Sequence, residues 1–404
     1  MKLSRSKLGL ALLAAMAAPA AHAEIAIDVI GGSEVTFEGL VQADGNWFDN
    51  DVVDLNGTSN NGDDSEFELR RAELVLKGKG PGNIEWVAGY DAKADKYLDA
   101  NIKYKLGGDS AKFVQLGQYK QPNSLEELSS TKNNDFISKA AVTNTFATAR
   151  RLGGAFGYGD SDWSVTASVF GRELTRNLAH GSGYGARATW APINESGNIV
   201  HLGLSYVDND TDADTLRLRA RPNADLAAAR LVDTGDMTDT DRIGTLGLEG
   251  MWVTGPFKLQ GEYYSVDVSR YRDTSRDFSG DGWYVSGVWN VTGETWGYKG
   301  GTPSTGLPDE PGRGMWQLGL RYDTIDLNDG SLRDPSTPDG PPIVDGVLGG
   351  KQDIWTLGAN WYWRSNFKFA LNYVIVDSSR YSASAGAVVD DSPNIIEARA
   401  QFYW

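Results

Sequence analysis

The sequence predicts an all-β protein, a 16-stranded antiparallel transmembrane β-barrel, and three observations carry that prediction. Residues 1–23 have the layout of a secretory signal peptide: basic at Lys2, Arg5 and Lys7, apolar from Leu8 to Ala18, and small at the cleavage site Ala21-His22-Ala23. No later stretch approaches the ~20 consecutive apolar residues that a helical membrane span needs. The rest of the chain is instead rich in segments where apolar and polar residues alternate, as in strands that meet lipid with one face and water with the other.

Composition fits this reading. The exported chain, residues 24–404, is expected to begin at Glu24 and to form one barrel. It contains no cysteine, so it must hold together without disulfides or thiolate-bound metal. Residues 1–23 carry three basic side chains and no acidic one, so their removal takes the formal charge from −16 to −19. Such a balance argues against nucleic acid as a partner. With 48 Gly, 13 Trp and 17 Tyr against 14 Pro, the composition suits strands, turns and interfacial aromatics.

Taken in order, the first strands are Glu34–Asp44, Phe67–Gly78, Ile84–Lys93 and Leu98–Lys105. Leu74 and Leu76 set the lipid face of the second, which turns Arg71, Glu73 and Lys77 inward and puts Arg70 near the rim. In the third, Trp86, Ala88 and Tyr90 face lipid and leave Glu85 and Asp91 inward. Lys112–Lys120, Arg150–Tyr158, Trp163–Gly171, Tyr184–Trp190 and Asn198–Asp208 follow. The second half reads Ile243–Thr254, Phe257–Val268, Gly282–Thr292, Met315–Asp326, Asp353–Arg364, Phe367–Asp377 and Asn394–Trp404. The alternation is clearest here: Trp316, Leu318, Leu320 and Tyr322 share one face and Gln317 and Arg321 the other. The last strand sets Ile396, Ala398, Ala400, Phe402 and Trp404 against Glu397, Arg399 and Gln401.

A seventeenth alternating run, Thr215–Arg221, is excluded from the wall, because single-chain bacterial barrels have even strand numbers. Short connections at Gly80-Pro81-Gly82, Gly159-Asp160-Ser161, Gly255-Pro256 and Ser365-Asn366 then fall on one side, the turn side. The long Gly/Pro-rich stretch Gly293–Gly314 breaks that rule and has no evident function.

Two stretches concentrate cations. Gln121 to Ala149 becomes the third outer loop; it carries Lys132 and Lys139 and is flanked by Lys120, Arg150 and Arg151. On a surface these charges are merely solvated; inside a pore they form a filter. The run Thr215–Arg221 puts Arg217, Arg219 and Arg221 on one face, about 7 Å apart by the strand rise. Its leucines point to a docked segment. The alternative is a solvated loop with Asp208, Asp210, Asp212 and Asp214 as counter-ions. Arg242 and Arg230 extend the row. Guanidinium offers a planar fork that matches phosphate oxygens. Asp91 either shapes the lumen potential or pairs with a wall cation.

Catalytic readings find little support. Beyond the leader the histidines are His180 and His201, each isolated in sequence, so no enzyme, metal or cofactor is expected. The glycine-rich run from Gly153 to Gly159 precedes no helix and is not a nucleotide loop. The acidic stretch with Asp51, Asp54, Asp63 and Asp64 could take Ca²⁺ but is read as solvated at the cell surface.

At these residues the chain resembles the phosphate-selective porins of the porin O and porin P type. The motifs are Leu69-Arg70-Arg71-Ala72, Leu116-Gly117-Gln118-Tyr119-Lys120-Gln121-Pro122 leading to Ser124-Leu125-Glu126-Glu127-Leu128, Asp135-Phe136-Ile137-Ser138-Lys139, and Arg150-Arg151-Leu152-Gly153. Leu218-Arg219-Ala220-Arg221-Pro222, Asp233-Thr234-Gly235, Leu259-Gln260-Gly261-Glu262-Tyr263, Gly282-Trp283-Tyr284 and Val291-Thr292-Gly293-Glu294 continue it in order. The resemblance implies a homotrimer in the bacterial outer membrane, in contact with lipid and lipopolysaccharide. It also implies an inward-folded third extracellular loop and a row of arginines leading anions such as phosphate to a basic constriction. Carried over by motif, the row is Arg217, Arg219, Arg221 and Arg242, and the constriction is Arg71, Asp91, Lys120, Lys132 and Lys139. The chain departs from the pattern at Ser138 and Lys139, where many members carry glutamate and arginine, and at Asn123, where a phenylalanine follows the proline. A general or sugar-preferring diffusion porin stays open as the alternative.

Overall fold

The computed structural model describes residues 25–29, 33–57, 64–175, 181–271, 275–335, 340 and 342–404. The leader expected at residues 1–23 lies outside them.

Among the described residues, sixteen strands form a closed antiparallel wall. They are β1 (Ser33–Asp49), β2 (Ser65–Gly80), β3 (Ile84–Asp91), β4 (Lys96–Lys105), β5 (Phe113–Lys120), β6 (Arg150–Gly159), β7 (Trp163–Phe170) and β8 (Gly183–Glu195), then β9 (Asn198–Asp210), β10 (Thr240–Thr254), β11 (Phe257–Arg270), β12 (Phe278–Asn290), β13 (Met315–Arg333), β14 (Ile343–Trp363), β15 (Phe367–Ser382) and β16 (Asn394–Tyr403). The barrel closes where β1 pairs with β16, from Leu40↔Tyr403 to Asp49↔Asn394. Two further strands extend the sheet without belonging to the wall: Ile25–Val29 folds back on β1, and Ala387–Asp391 pairs antiparallel with the loop-end part of β15, beyond its pairing with β16.

The period-two pattern produces this wall with its polarity inverted relative to a water-soluble core. Trp316, Leu318 and Leu320 are exposed at 44–47%, whereas Gln317 and Arg321 on the other face are at most 1% exposed. A closed sheet pairs the backbone groups of neighbouring strands with one another and leaves no open edge, which a lipid environment requires.

Several strands run further toward the loop end than hydropathy indicates. After a bulge between Asp326 and Asn328, β13 and β14 stay paired from Asn328↔Leu348 to Arg333↔Ile343. Asn328, Asp329, Gly330 and Ser331 give that extension no lipid face, so the sequence period vanishes while the backbone ladder persists. Exclusion of Thr215–Arg221 from the wall holds: Thr215–Leu216 pairs with Met237–Thr238 and Arg219–Ala220 with Val232–Asp233, as small ribbons within a loop.

Inside the barrel the two halves differ. Loop residues Leu55, Val142, Phe146, Leu218 and Leu231 pack on inward-facing Tyr264, Val266, Ile325, Ile354 and Val374 of β11, β13, β14 and β15. This apolar core fills the second-half side of the lumen. Open space is therefore left along the first-half strands.

The unexplained stretch 293–314 contains a hairpin, Trp296–Lys299 paired with Thr302–Thr305. It lies against the inner face of the wall: Arg187 Nη2 donates to the Gly301 carbonyl (2.7 Å), and His201 Nδ1 is 2.6 Å from the Tyr298 hydroxyl. Trp296 is buried beside Leu125, Ile199, Met251 and Val288. Replacing residues 296–305 by a two-residue turn should raise the single-channel conductance, because it removes protein from the lumen; an unchanged conductance would show that the hairpin leaves the ion path untouched.

Candidate anion pathway

Loop 3, residues 121–149, carries two short helices, α1 (Leu125–Leu128) and α2 (Ala141–Phe146). A helix of four residues has no stability of its own; α1 is held by its surroundings. Ser124 accepts from the Glu127 N–H at 3.0 Å, and the Glu262 carboxylate of β11 accepts from the N–H groups of Leu125 (2.8 Å) and Glu126 (2.7 Å). Between α1 and α2 the backbone makes one 3-10 turn at Thr131–Asn133 and is otherwise irregular, so wall side chains satisfy several of its carbonyls. The carbonyls of Lys132, Asp135, Ile137 and Ser138 accept from Gln401, Asn360, Arg399 and Arg321 at 2.7–3.0 Å.

Phe136 is seated in a slot made by absent side chains. Gly319 and Gly358 face each other across β13 and β14, and a Cβ on either would lie 3.0 Å from the Phe136 ring. The Arg321 guanidinium covers that ring at 4.6 Å. Valine at both glycines should therefore expel Phe136 at a cost of about 1–3 kcal/mol and make the open current noisier; a quiet channel of normal conductance would show that the slot is dispensable.

Beside α1 the charges interlock. Lys120 Nζ donates to the carbonyls of Glu127 and Ser129 and lies 3.8 Å from the Glu127 carboxylate, which also binds Lys139. Burial alone would raise the Glu127 carboxyl, but Lys139 and Lys120 outweigh it and bring it from 4.5 down to about 2. A depressed carboxyl stabilises fully above its unfolded value and loses that contribution as the pH falls through the folded one. Channel conductance should thus hold from pH 7 to about pH 5 and change only as the pH drops from there toward 2; a transition centred near pH 6 would implicate another group.

A space of 250 Å³ next to this cluster is lined by Glu38, Glu73, Asp99, Lys120, Lys132 and Arg150. Toward the turn end it gives way to a larger cavity of 780 Å³, whose lining includes Lys103, Lys120, Arg187, Tyr298 and Lys299. Both lie along the first-half strands.

Toward the loop end the row of arginines is sorted by ion pairing. Leu218 and Ala220 are buried and Arg217 and Arg219 exposed, so the strict alternation docks the segment with its guanidiniums outward. Arg217 is held by Asp233 (2.6 Å) and approached by Asp236 (3.7 Å), and Arg242 by Asp208. Arg219, Arg221 and Arg230 have no ion pair among the described residues. Burial and the charges of Arg221 and Arg219 push the Arg230 guanidinium down to about 10, so Arg230 stays protonated at neutral pH within the field of the other two.

Deeper in the lumen, β2 supplies two consecutive arginines. The register runs Gln42↔Arg71 and then Ala43↔Leu69, so Arg70 is the extra residue of a β-bulge. Arg70 and Arg71 thereby both turn inward: Arg70 binds Asp225 at 2.9 Å, and Arg71 donates to Gln42 at 2.7 Å. Arg399 forms a two-pronged pair with Asp44 at 2.6 and 2.7 Å.

Residues 41–404 match the family model for phosphate-selective porin O and P. The chain belongs to that family. The porin is 26% identical to Porin O of Pseudomonas aeruginosa over 236 residues, which are 54% of this chain and 52% of that one, so it spans about half the length of that relative in the match. An uncharacterized protein of Caulobacter vibrioides is 29% identical over 359 residues, 83% of this chain and 67% of the other. Among solved structures, an anion-selective porin from Comamonas acidovorans superposes with a TM-score of 0.56 at 12% identity, covering 92% of this chain and all of that one, which is a likeness of fold.

Within this porin the residues singled out in the sequence divide. Arg219 and Arg221 have no ion pair among the described residues, although Arg221 donates its Nε to the Ala227 carbonyl (2.7 Å), and Lys120, Lys132 and Lys139 gather at loop 3 with Arg71 on the neighbouring wall. Arg217 and Arg242 are tied to carboxylates. Asp91 is set apart: it is buried, and its Oδ1 accepts the backbone N–H groups of Ala72 (3.2 Å), Lys93 (3.0 Å) and Ala94 (3.3 Å), so it closes a turn. Arg399 and Asp225 went unassigned, because nothing in their local sequence reveals what they meet across the barrel.

Proposed function

We propose that this porin is a passive, anion-selective channel for phosphate or a related oxyanion such as pyrophosphate or polyphosphate. The single observation that supports this most is the run of cations from the unpaired Arg219, Arg221 and Arg230, past Arg70 and Arg71, to Lys120 and the open cavity beyond it. A series of moderate sites suits transport, since an ion must be bound well enough to enter and weakly enough to leave. The net negative charge of the chain does not oppose this, because permeation responds to the local lumen field.

On this reading the mature chain starts at Glu24 after removal of residues 1–23, loop 3 narrows the pore from the extracellular side, and the 296–305 hairpin lies at the periplasmic end. Family likeness supports a homotrimer embedded in outer-membrane lipid and lipopolysaccharide. The test is current block in a planar bilayer. Millimolar phosphate should reduce chloride current and an oligosaccharide should not; the opposite result would favour a sugar-preferring porin.

A further inference from the structure

One carboxylate stands in the middle of the guanidinium row. Asp225, carried by the loop that also carries Arg219 and Arg221, accepts from Arg70 through Nε at 3.1 Å and Nη2 at 2.9 Å. Its own N–H donates to Ser138 Oγ at 3.2 Å, which ties that loop to loop 3. Burial would raise its carboxyl, but Arg70, Arg71 and Arg399 hold it well below the usual carboxylate range, so it is charged at any physiological pH.

The Asp225 side chain nonetheless keeps 17% of its surface and that of Arg70 29%. Both can be reached from the lumen. Arg71 and Arg399 are engaged with Gln42 and Asp44, so the Arg70 fork is the part of this group that a passing anion could take over. Carboxylate and phosphate present the same kind of paired oxygen acceptors to such a fork.

We propose that Asp225 is a tethered competitor: its carboxylate occupies the Arg70 guanidinium, so that phosphate passes by exchanging with it and is never held tightly at this level. The proposal rests on the anion-channel reading of the same pathway. It makes Asp225 a selectivity-determining residue that the arginine pattern alone would not suggest.

The experiment is phosphate block of chloride current through the full-length channel, compared for wild type, Asp225→Asn and Asp225→Glu. Removing a full charge beside the path should tighten phosphate block about tenfold at low salt, and Asp225→Glu should behave like wild type. If Asp225 serves only to orient Arg70, the asparagine variant will bind phosphate more weakly, and that result, or an unchanged block, overturns the proposal. Asp225→Ser carries the same expectation should the asparagine chain not fold. In an Arg70→Gln background the Asp225→Asn change should lose its effect, since the contested fork is gone; a tightening that persists there would also overturn it. Wild-type ion selectivity is read in the same bilayers: an anion-selective wild type with unaltered block in Asp225→Asn rejects the competitor alone, whereas a cation-selective wild type rejects the pathway on which it rests.

Discussion

Replacing Arg219 and Arg221 together by glutamine is expected to weaken phosphate block about a hundredfold at low salt, with the barrel still folded. Hydrogen bonds to charged groups contribute about 1.5–3 kcal/mol each, and neither guanidinium has an ion pair among the described residues, Arg221 being held through Nε alone by the Ala227 carbonyl (2.7 Å). Folding should be spared because Leu218 and Ala220, on the opposite face, anchor the segment to the inner core. Arg217→Gln and Arg242→Gln should change block by little, since Asp233 and Asp208 already hold those side chains. Equal effects at all four positions would mean that ion pairing does not sort the row.

The second large effect is expected from Lys120→Glu. Lys120 is the cation shared by both open spaces, and Glu38, Glu73, Asp99 and Glu127 surround it. Reversing its sign leaves the passage beside loop 3 dominated by carboxylates, so the chloride-to-potassium permeability ratio should fall at least about tenfold by the Coulomb energy of a two-charge change at close range. Lys120→Gln should produce a smaller shift in the same direction. A ratio unaltered by Lys120→Glu would place the path of ions elsewhere.

The wall was legible in the sequence because a strand between lipid and water has no other way to be written than in twos. Trp316 to Tyr322 and Ile396 to Phe402 read correctly from the page. Where the sheet leaves the membrane, as in Asn328–Arg333, the pattern lost its cause and the strand ends went unseen. The bulge at Arg70 was equally hidden: the lipid face set by Leu74 and Leu76 turns Arg71 inward and puts Arg70 near the rim, and only the register with β1 shows both turned inward.

The candidate site was legible in part for the same reason. Leucines alternating with Arg217, Arg219 and Arg221 marked a docked segment, yet which of the three remains free depends on Asp233, brought opposite by a ribbon that closes 16 residues later. Loop 3 announced its cations but not its anchors. Glu262, Arg321, Arg399 and the paired Gly319 and Gly358 lie more than a hundred residues away and act through the closure of the barrel. Trp296–Thr305 read as an oversized turn, because a hairpin packed on the inner wall needs few apolar residues beyond Trp296.

The central claim, that the lumen favours anions although the chain as a whole is strongly acidic, is tested most directly by the zero-current potential of the purified wild-type channel in a planar bilayer separating two KCl concentrations. The expected reversal potential has the sign set by chloride. A potential set by potassium would contradict it.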